Sequence, residues 1–169
     1  MSNTSVLRPD TVQSPKAYAS SSITRPAGAT PYSINEVIQN GSGTNMVFSI
    51  SNIAPGSHIM ITSILMRIDA GSSTCPALTL HLFKDNPTPI ADNAPFDIIA
   101  ADKSKFLTSV SLAAPVLFGS RYYSINPEVN RHIYLSELST SIYCVLVTPT
   151  AWTPGSEVVK TFDLLGICL

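Results

Sequence analysis

Ile59-Met60-Ile61-Thr62-Ser63-Ile64-Leu65-Met66-Arg67-Ile68 is the stretch on which the reading of this 169-residue chain turns. Ile64, Met66 and Ile68 fall on one side, with Leu65 and Arg67 on the other. That two-residue period belongs to a strand with one buried face. Asp69-Ala70-Gly71-Ser72-Ser73 breaks it. Thr62, Ser63 and Arg67 interrupt the run, and it falls short of the roughly 20 apolar residues that span a bilayer as a helix.

The same period recurs on both sides. Met46, Phe48 and Ile50 alternate with Val47, Ser49 and Ser51, and Leu78, Leu80 and Leu82 alternate with Thr79, His81 and Phe83. Residues 106–113, 122–125, 133–135 and 158–169 are further strand candidates. Ile142 to Thr148 is apolar on both faces, as a strand covered on two sides reads. Ser33-Ile34-Asn35-Glu36 has the spacing of a capping box and predicts one short helical turn. Asn40-Gly41-Ser42-Gly43 and Pro55-Gly56 are turn signals. Asp102-Lys103-Ser104-Lys105 fits a turn or a short helix. No segment sustains a 3.6-residue apolar period for three turns, and no internal repeat is evident. About eight short strands between Pro, Gly, Asn and Asp turns predict an all-β, antiparallel sandwich, most simply a jelly roll, over residues 32–169.

Residues 1–31 differ. They hold Pro9, Pro15, Pro26 and Pro31, a Ser20-Ser21-Ser22 run and four charges, Arg8, Asp10, Lys16 and Arg25. Prolines at this spacing favour extended backbone over helix. Two readings are open, a flexible tail and an extended N-terminal arm that orders on a neighbouring subunit with Arg8, Lys16 and Arg25 as its contact residues; the resemblance given below favours the arm.

Composition limits the function classes. Charged residues are 12% and the formal net charge is -1, which argues against neutralising many nucleic-acid phosphates. Leu, Ile, Val and Phe supply 47 residues, so the chain lacks the signature of disorder. Ser and Thr supply 38. Such a chain suits neutral contact surfaces. The N-terminal stretch has no apolar core of a signal peptide, and no membrane partner is expected. Cys75, Cys144 and Cys168 have no metal or redox spacing and are expected to be buried thiols.

Catalytic and cofactor motifs are not found. His58, His81 and His132 are scattered, and no nucleophile elbow, zinc-binding HExxH or phosphate loop occurs. Asp85, Asp92, Asp97 and Asp102 are too widely spaced for a calcium loop and read as turn residues. No catalytic residue, metal ligand or cofactor is assigned, and an enzyme is not expected. Tyr122, Tyr123 and Trp152 are open to two readings, an interface or ligand aromatic and local packing.

Three segments carry a resemblance. They are Arg25-Pro26-Ala27-Gly28-Ala29-Thr30-Pro31-Tyr32-Ser33-Ile34-Asn35-Glu36-Val37-Ile38, then Leu78-Thr79-Leu80-His81-Leu82-Phe83 with Asn86-Pro87-Thr88-Pro89-Ile90-Ala91-Asp92-Asn93-Ala94-Pro95-Phe96, and Leu164-Leu165-Gly166. From about residue 25 onward the chain resembles a family of small virion proteins of tailed bacteriophages, the capsid decoration or cement type. The resemblance implies a β-sandwich or jelly-roll protein made in the bacterial cytoplasm and located on the outer surface of the head. It also implies a homodimer or homotrimer, with the phage major capsid protein as partner. Two other readings stay open, a carbohydrate- or receptor-binding module of a fibre and a head-completion or tail-junction protein.

Overall fold

A computed structural model of the chain describes residues 16–25, 30–41, 43–68, 75–126, 128–154 and 159–169. Eleven strands run through these residues: β1 Lys16–Thr24, β2 Glu36–Ile38, β3 Met46–Ser49, β4 His58–Ile68, β5 Leu78–Phe83, β6 Phe106–Leu112, β7 Val116–Phe118, β8 Arg121–Asn126, β9 Arg131–Tyr134, β10 Ser141–Thr148 and β11 Val159–Cys168. A short 3-10 helix, Ala100–Lys105, precedes β6. One sheet has the order β1-β11-β4-β8-β7, with β9 also paired to β4. The other has the order β2-β10-β5-β6, with β3 also on β10. All pairings are antiparallel. No helix of the described residues is long and apolar enough to cross a membrane.

The fold is an antiparallel β-sandwich, and the alternation in β4 is what makes it one. Ile59, Ile61, Ile64, Met66 and Ile68 all point inward. They join Phe162 and Leu164 of β11, Leu78, Leu80 and Leu82 of β5, and Ile142, Cys144 and Leu146 of β10 in a single core. Each fully buried aliphatic or aromatic side chain there contributes about 1.5–3 kcal/mol. All three cysteines are buried free thiols, and burial pushes the Cys75 thiol up to about 11.

The boundary expected at residue 31 is corrected. Lys16–Thr24 is not part of a detached arm but a strand of the first sheet, paired with β11 from Lys16↔Ile167 to Thr24↔Val159. Ala17, Ala19 and Ile23 turn into the core, while Lys16, Tyr18, Ser20, Ser22 and Thr24 face out. Small inward residues fit because β1 lies beside β3 of the opposite sheet. Residues 1–15 of the expected arm, with Arg8, lie outside the described residues.

Two local expectations change as well. Ser33 to Glu36 forms no helical turn. The reach-back bond of a capping box is present, with Ser33 N–H donating to Glu36 Oε2 at 2.6 Å. It closes a turn with Asn35 at φ 61°, and β2 begins at Glu36. The two-sided apolar character of β10 has a simple cause. Its inner face meets the core, and its outer face, through Val145 and Val147, meets Val37 and Phe83. The loop residues Ile90, Phe96 and Ile98 pack against that outer cluster. Residues 84–105 therefore cover the outer face of the second sheet.

Candidate interaction surface

The first sheet has no such cover among the described residues. Its outer face is built by register. Leu65 stands between Asp163 of β11 and Ile125 of β8, and Arg67 stands between Thr161 and Tyr123. Val116 lies opposite Tyr123, and Phe118 opposite Arg121. Leu65, Val116, Leu117, Phe118, Tyr123 and Ile125 line an open groove of about 600 Å³. Val116 is 73% exposed, Leu117 60%, Phe118 80% and Ile125 63%. The Phe118 and Tyr123 rings meet edge to face, with centroids 6.1 Å apart. Isolated exposed aliphatics need no explanation, but a contiguous patch of this kind marks a contact site.

The charges beside the groove are closed on themselves. Arg67 Nη2 lies 2.8 Å from Asp163 Oδ2, and the Tyr18 hydroxyl donates to Asp163 Oδ1 at 3.2 Å. The surface next to the groove therefore presents apolar side chains around a neutralised pair, with little unpaired charge for a strongly acidic or basic partner.

The candidate residues fall in different places. Lys16 is exposed at the start of β1. Tyr123 lines the groove. Tyr122 points the other way and packs against the core.

Arg25 is corrected, and of the two readings of Trp152 the structure shows local packing. Arg25 is buried, not a subunit contact. Its Nε donates to the Tyr32 hydroxyl at 2.8 Å and lies 3.8 Å from Asp92 Oδ2, and its guanidinium sits 4.8 Å from the Tyr32 ring centroid. Trp152 is buried as well. It stacks on Tyr32 at 5.8 Å and 13°, and the buried Lys160 ammonium lies 5.1 Å from its ring centroid. Backbone bonds in both directions join Tyr32 and Trp152. Burial pushes the Lys160 ammonium below the ordinary lysine range. Cations above aromatic faces are favoured electrostatically, by about 2 kcal/mol when desolvated. The buried cluster thus pins four segments together, and the motif residues Arg25, Tyr32 and Asp92 meet in it for structural reasons.

The groove residues Val116, Leu117 and Phe118 carry a sequence signal that alternation does not reveal. Three consecutive apolar residues between Pro115 and Gly119 show no alternation. Such a run has no hidden face to fill and reads as a functional edge.

The scattered histidines form two contacts. His58 Nδ1 and His132 Nε2 lie 3.0 Å apart on exposed side chains. Among the described residues no group of three or more His, Cys, Asp or Glu is placed to hold a metal ion. Asp102 is occupied by the Thr88 N–H and Lys105, which hold its carboxyl below the usual range.

His81 Nδ1 meets Ser109 Oγ at 2.7 Å, the distance of a nucleophile and its base. Phe96 stacks on the imidazole at 4.2 Å and 11°, and burial pushes His81 down to about 4. So weakly basic a ring is ill matched to taking a serine proton near neutral pH.

The same burial gives a pH prediction. In the unfolded chain a histidine titrates near 6.5, so unfolding takes up a proton as pH falls below that value. The His81 contribution to stability is complete above about pH 6.5 and is lost as pH falls through about 4. The difference corresponds to at most about 3 kcal/mol, and solvent contact at the ring edge reduces it to about 2. Thermal melts from pH 7 to 4 should fall more steeply for the wild type than for His81→Gln. Parallel curves would place the acid sensitivity elsewhere.

Comparison with known families finds no model that matches the chain, and comparison with curated proteins finds no match.

Proposed function

We propose that this chain is a non-enzymatic virion structural protein, a decoration protein on the outer surface of a tailed-phage head. The observation that carries the reading is the uncovered apolar face of the first sheet, in a sandwich whose other outer face is closed by its own loop. Such a domain buries its remaining apolar surface by assembling. Two further points support it. The two sheets take alternate parts of the chain, β1-β11-β4-β8 facing β2/β3-β10-β5-β6. We read that order as a jelly roll, an arrangement used by viral capsid domains, which is an analogy of fold. The resemblance of the segments at residues 25–38, 78–96 and 164–166 to virion decoration proteins supplies the phage setting.

Of the three aromatics that motivated the fibre-module reading, Trp152 and Tyr122 pack into the core and Tyr123 lines the groove beside Phe118, which leaves that reading with less support than assembly. Contact with the capsid is proposed for residues 1–15, which precede β1 in the sequence, and for Lys16, the exposed first residue of β1.

Purified protein mixed with expanded, undecorated heads should bind saturably, in copies comparable to the capsid subunits, and raise the heat resistance of the heads. No binding would overturn the reading, and a few copies per head would favour a head-completion or tail-junction role. Deleting residues 1–15 should lower occupancy at least about tenfold while leaving the melt unchanged, since avidity across several capsid subunits multiplies each lost contact. Deleting residues 1–24 is a different experiment. It removes β1 and uncovers β11, so it should unfold the domain.

A further inference from the structure

We propose that β7 is a self-association edge: two copies pair antiparallel along Val116–Phe118 across a two-fold axis at Leu117, joining their first sheets into one. This rests on the assembly reading above and names the partner of the edge strand that borders the apolar groove, a second copy of the chain.

The backbone makes the first part of the case. Gly119, at φ +67°, and Ser120 form a two-residue connection between β7 and β8. A glycine at positive φ in the first loop position is what a type II′ hairpin requires. Phe118 and Arg121 close that turn. Antiparallel bonding alternates, so Val116 and Phe118 direct their N–H and C=O groups to β8. Those of Leu117 face the open edge. A second β7 centred on Leu117 satisfies both, since each Leu117 N–H donates to the other copy's Leu117 carbonyl.

The edges compared with it are handled differently. The free side of β1 lies by β3, and the Thr24 N–H donates to Asn40 Oδ1. The edge of β2 is bonded to the loop, Val37 N–H to Ala94 O and Asn93 N–H to Val37 O. On β6, the Ser111 carbonyl accepts from Asn126 Nδ2. On β7, among the described residues, three exposed apolar side chains flank an open edge, the arrangement that natural sheets avoid unless something pairs with it.

The side chains point to the same occupant. In this register Val116 of one copy stands beside Phe118 of the other, on the face that carries Tyr123 and Ile125. The apolar strip then runs unbroken across the axis.

Sedimentation of the free protein, without heads, is the test. The wild type should run at twice the chain mass at micromolar concentration. Val116→Lys, which sets a cation beside the other copy's Phe118, should weaken the dimer at least about tenfold. Leu117→Pro removes an outward N–H that an edge strand can spare, and should do the same with an unchanged circular dichroism spectrum. Leu117→Cys should form a covalent dimer on mild oxidation, because residues opposite each other in a bonded pair lie about 5.5 Å apart at Cα, within disulfide reach. Ser120→Cys should not. If Leu117→Pro fails to fold, Val116→Lys and the cross-link decide. A monomeric wild type, an oligomer indifferent to Val116→Lys, or no Leu117→Cys cross-link overturns the pairing. A monomer that still binds heads leaves the decoration reading standing, and a dimer that ignores them does the reverse.

Discussion

Asp92→Ala is expected to lower stability by about 3–5 kcal/mol, the cost of stranding a buried charge. Asp92 accepts the Tyr32 hydroxyl at 2.7 Å and the Gln39 N–H at 2.9 Å, and its other oxygen faces Arg25. Arg25 is 3% exposed, and the buried Lys160 ammonium shares the cluster. Asp92 pairs there with Arg25, so its removal takes a carboxylate out of a desolvated site that holds two cations. For a chain of this length the melting temperature should drop by roughly 10 °C. Asp92→Asn should lose less, because an amide oxygen still accepts from Tyr32 and Gln39. Arg25→Met combined with Asp92→Ala should be less damaging than the sum of the single changes, with a coupling of about 1–3 kcal/mol. A loss under about 1 kcal/mol for Asp92→Ala would mean that water reaches Arg25.

What the sequence displayed and what it hid divide along one physical line. The long strands were legible wherever large side chains mark the alternation, as Ile64-Leu65-Met66-Arg67-Ile68 does. In β1 the inward positions are Ala17, Ala19, Ser21 and Ile23; the first three are too small to stand out from their polar neighbours, one isoleucine alone marks no alternation, and the surrounding prolines read as an arm. β10 announced a second cover through Val145 and Val147, but not that residues 84–105 would supply it. That pairing depends on contacts between segments far apart in the chain. Charge misled for the same reason. Arg25 looks like a surface residue until Asp92 and Tyr32 arrive, and Trp152 looks like an exposed loop aromatic until Tyr32 and Lys160 enclose it. The site itself was the least legible part. Val116-Leu117-Phe118 breaks the pattern of a buried-face strand, and local rules are expected to fail where a chain meets a partner.

That division also explains why the two outer faces differ. A loop that folds back over the second sheet removes Val145, Val147 and Phe83 from water within one chain. The first sheet keeps Leu65, Tyr123, Ile125 and the β7 side chains uncovered, and its strands must hold a flat, fixed register for a partner to match them. That register depends on β11 lying tightly against β4.

Gly166→Ala probes this closeness and is expected to cost about 2–3 kcal/mol, the scale of overpacking in a filled interior. In most strands the exchange would gain stability, since alanine restricts the unfolded chain more than glycine does. Here a Cβ at Gly166 would stand 2.6 Å from the Met60 carbonyl oxygen and 3.3 Å from Ile59 Cγ2. The obstacle is the backbone of a central strand and cannot rotate aside. The register between β11 and β4 already shifts at Leu165/Gly166 to bring the strands this close. A methyl group would push β11 away from β4 and strain the bonds that flank the shift. The melting temperature should fall by roughly 5–10 °C, and amide exchange should quicken along residues 59–61 and 166–168. Leu165→Ala, whose side chain is partly exposed on the outer face, should change the melt far less. A Gly166→Ala protein as stable as the wild type would mean that the strands already stand a methyl group apart, contrary to the 2.6 Å approach.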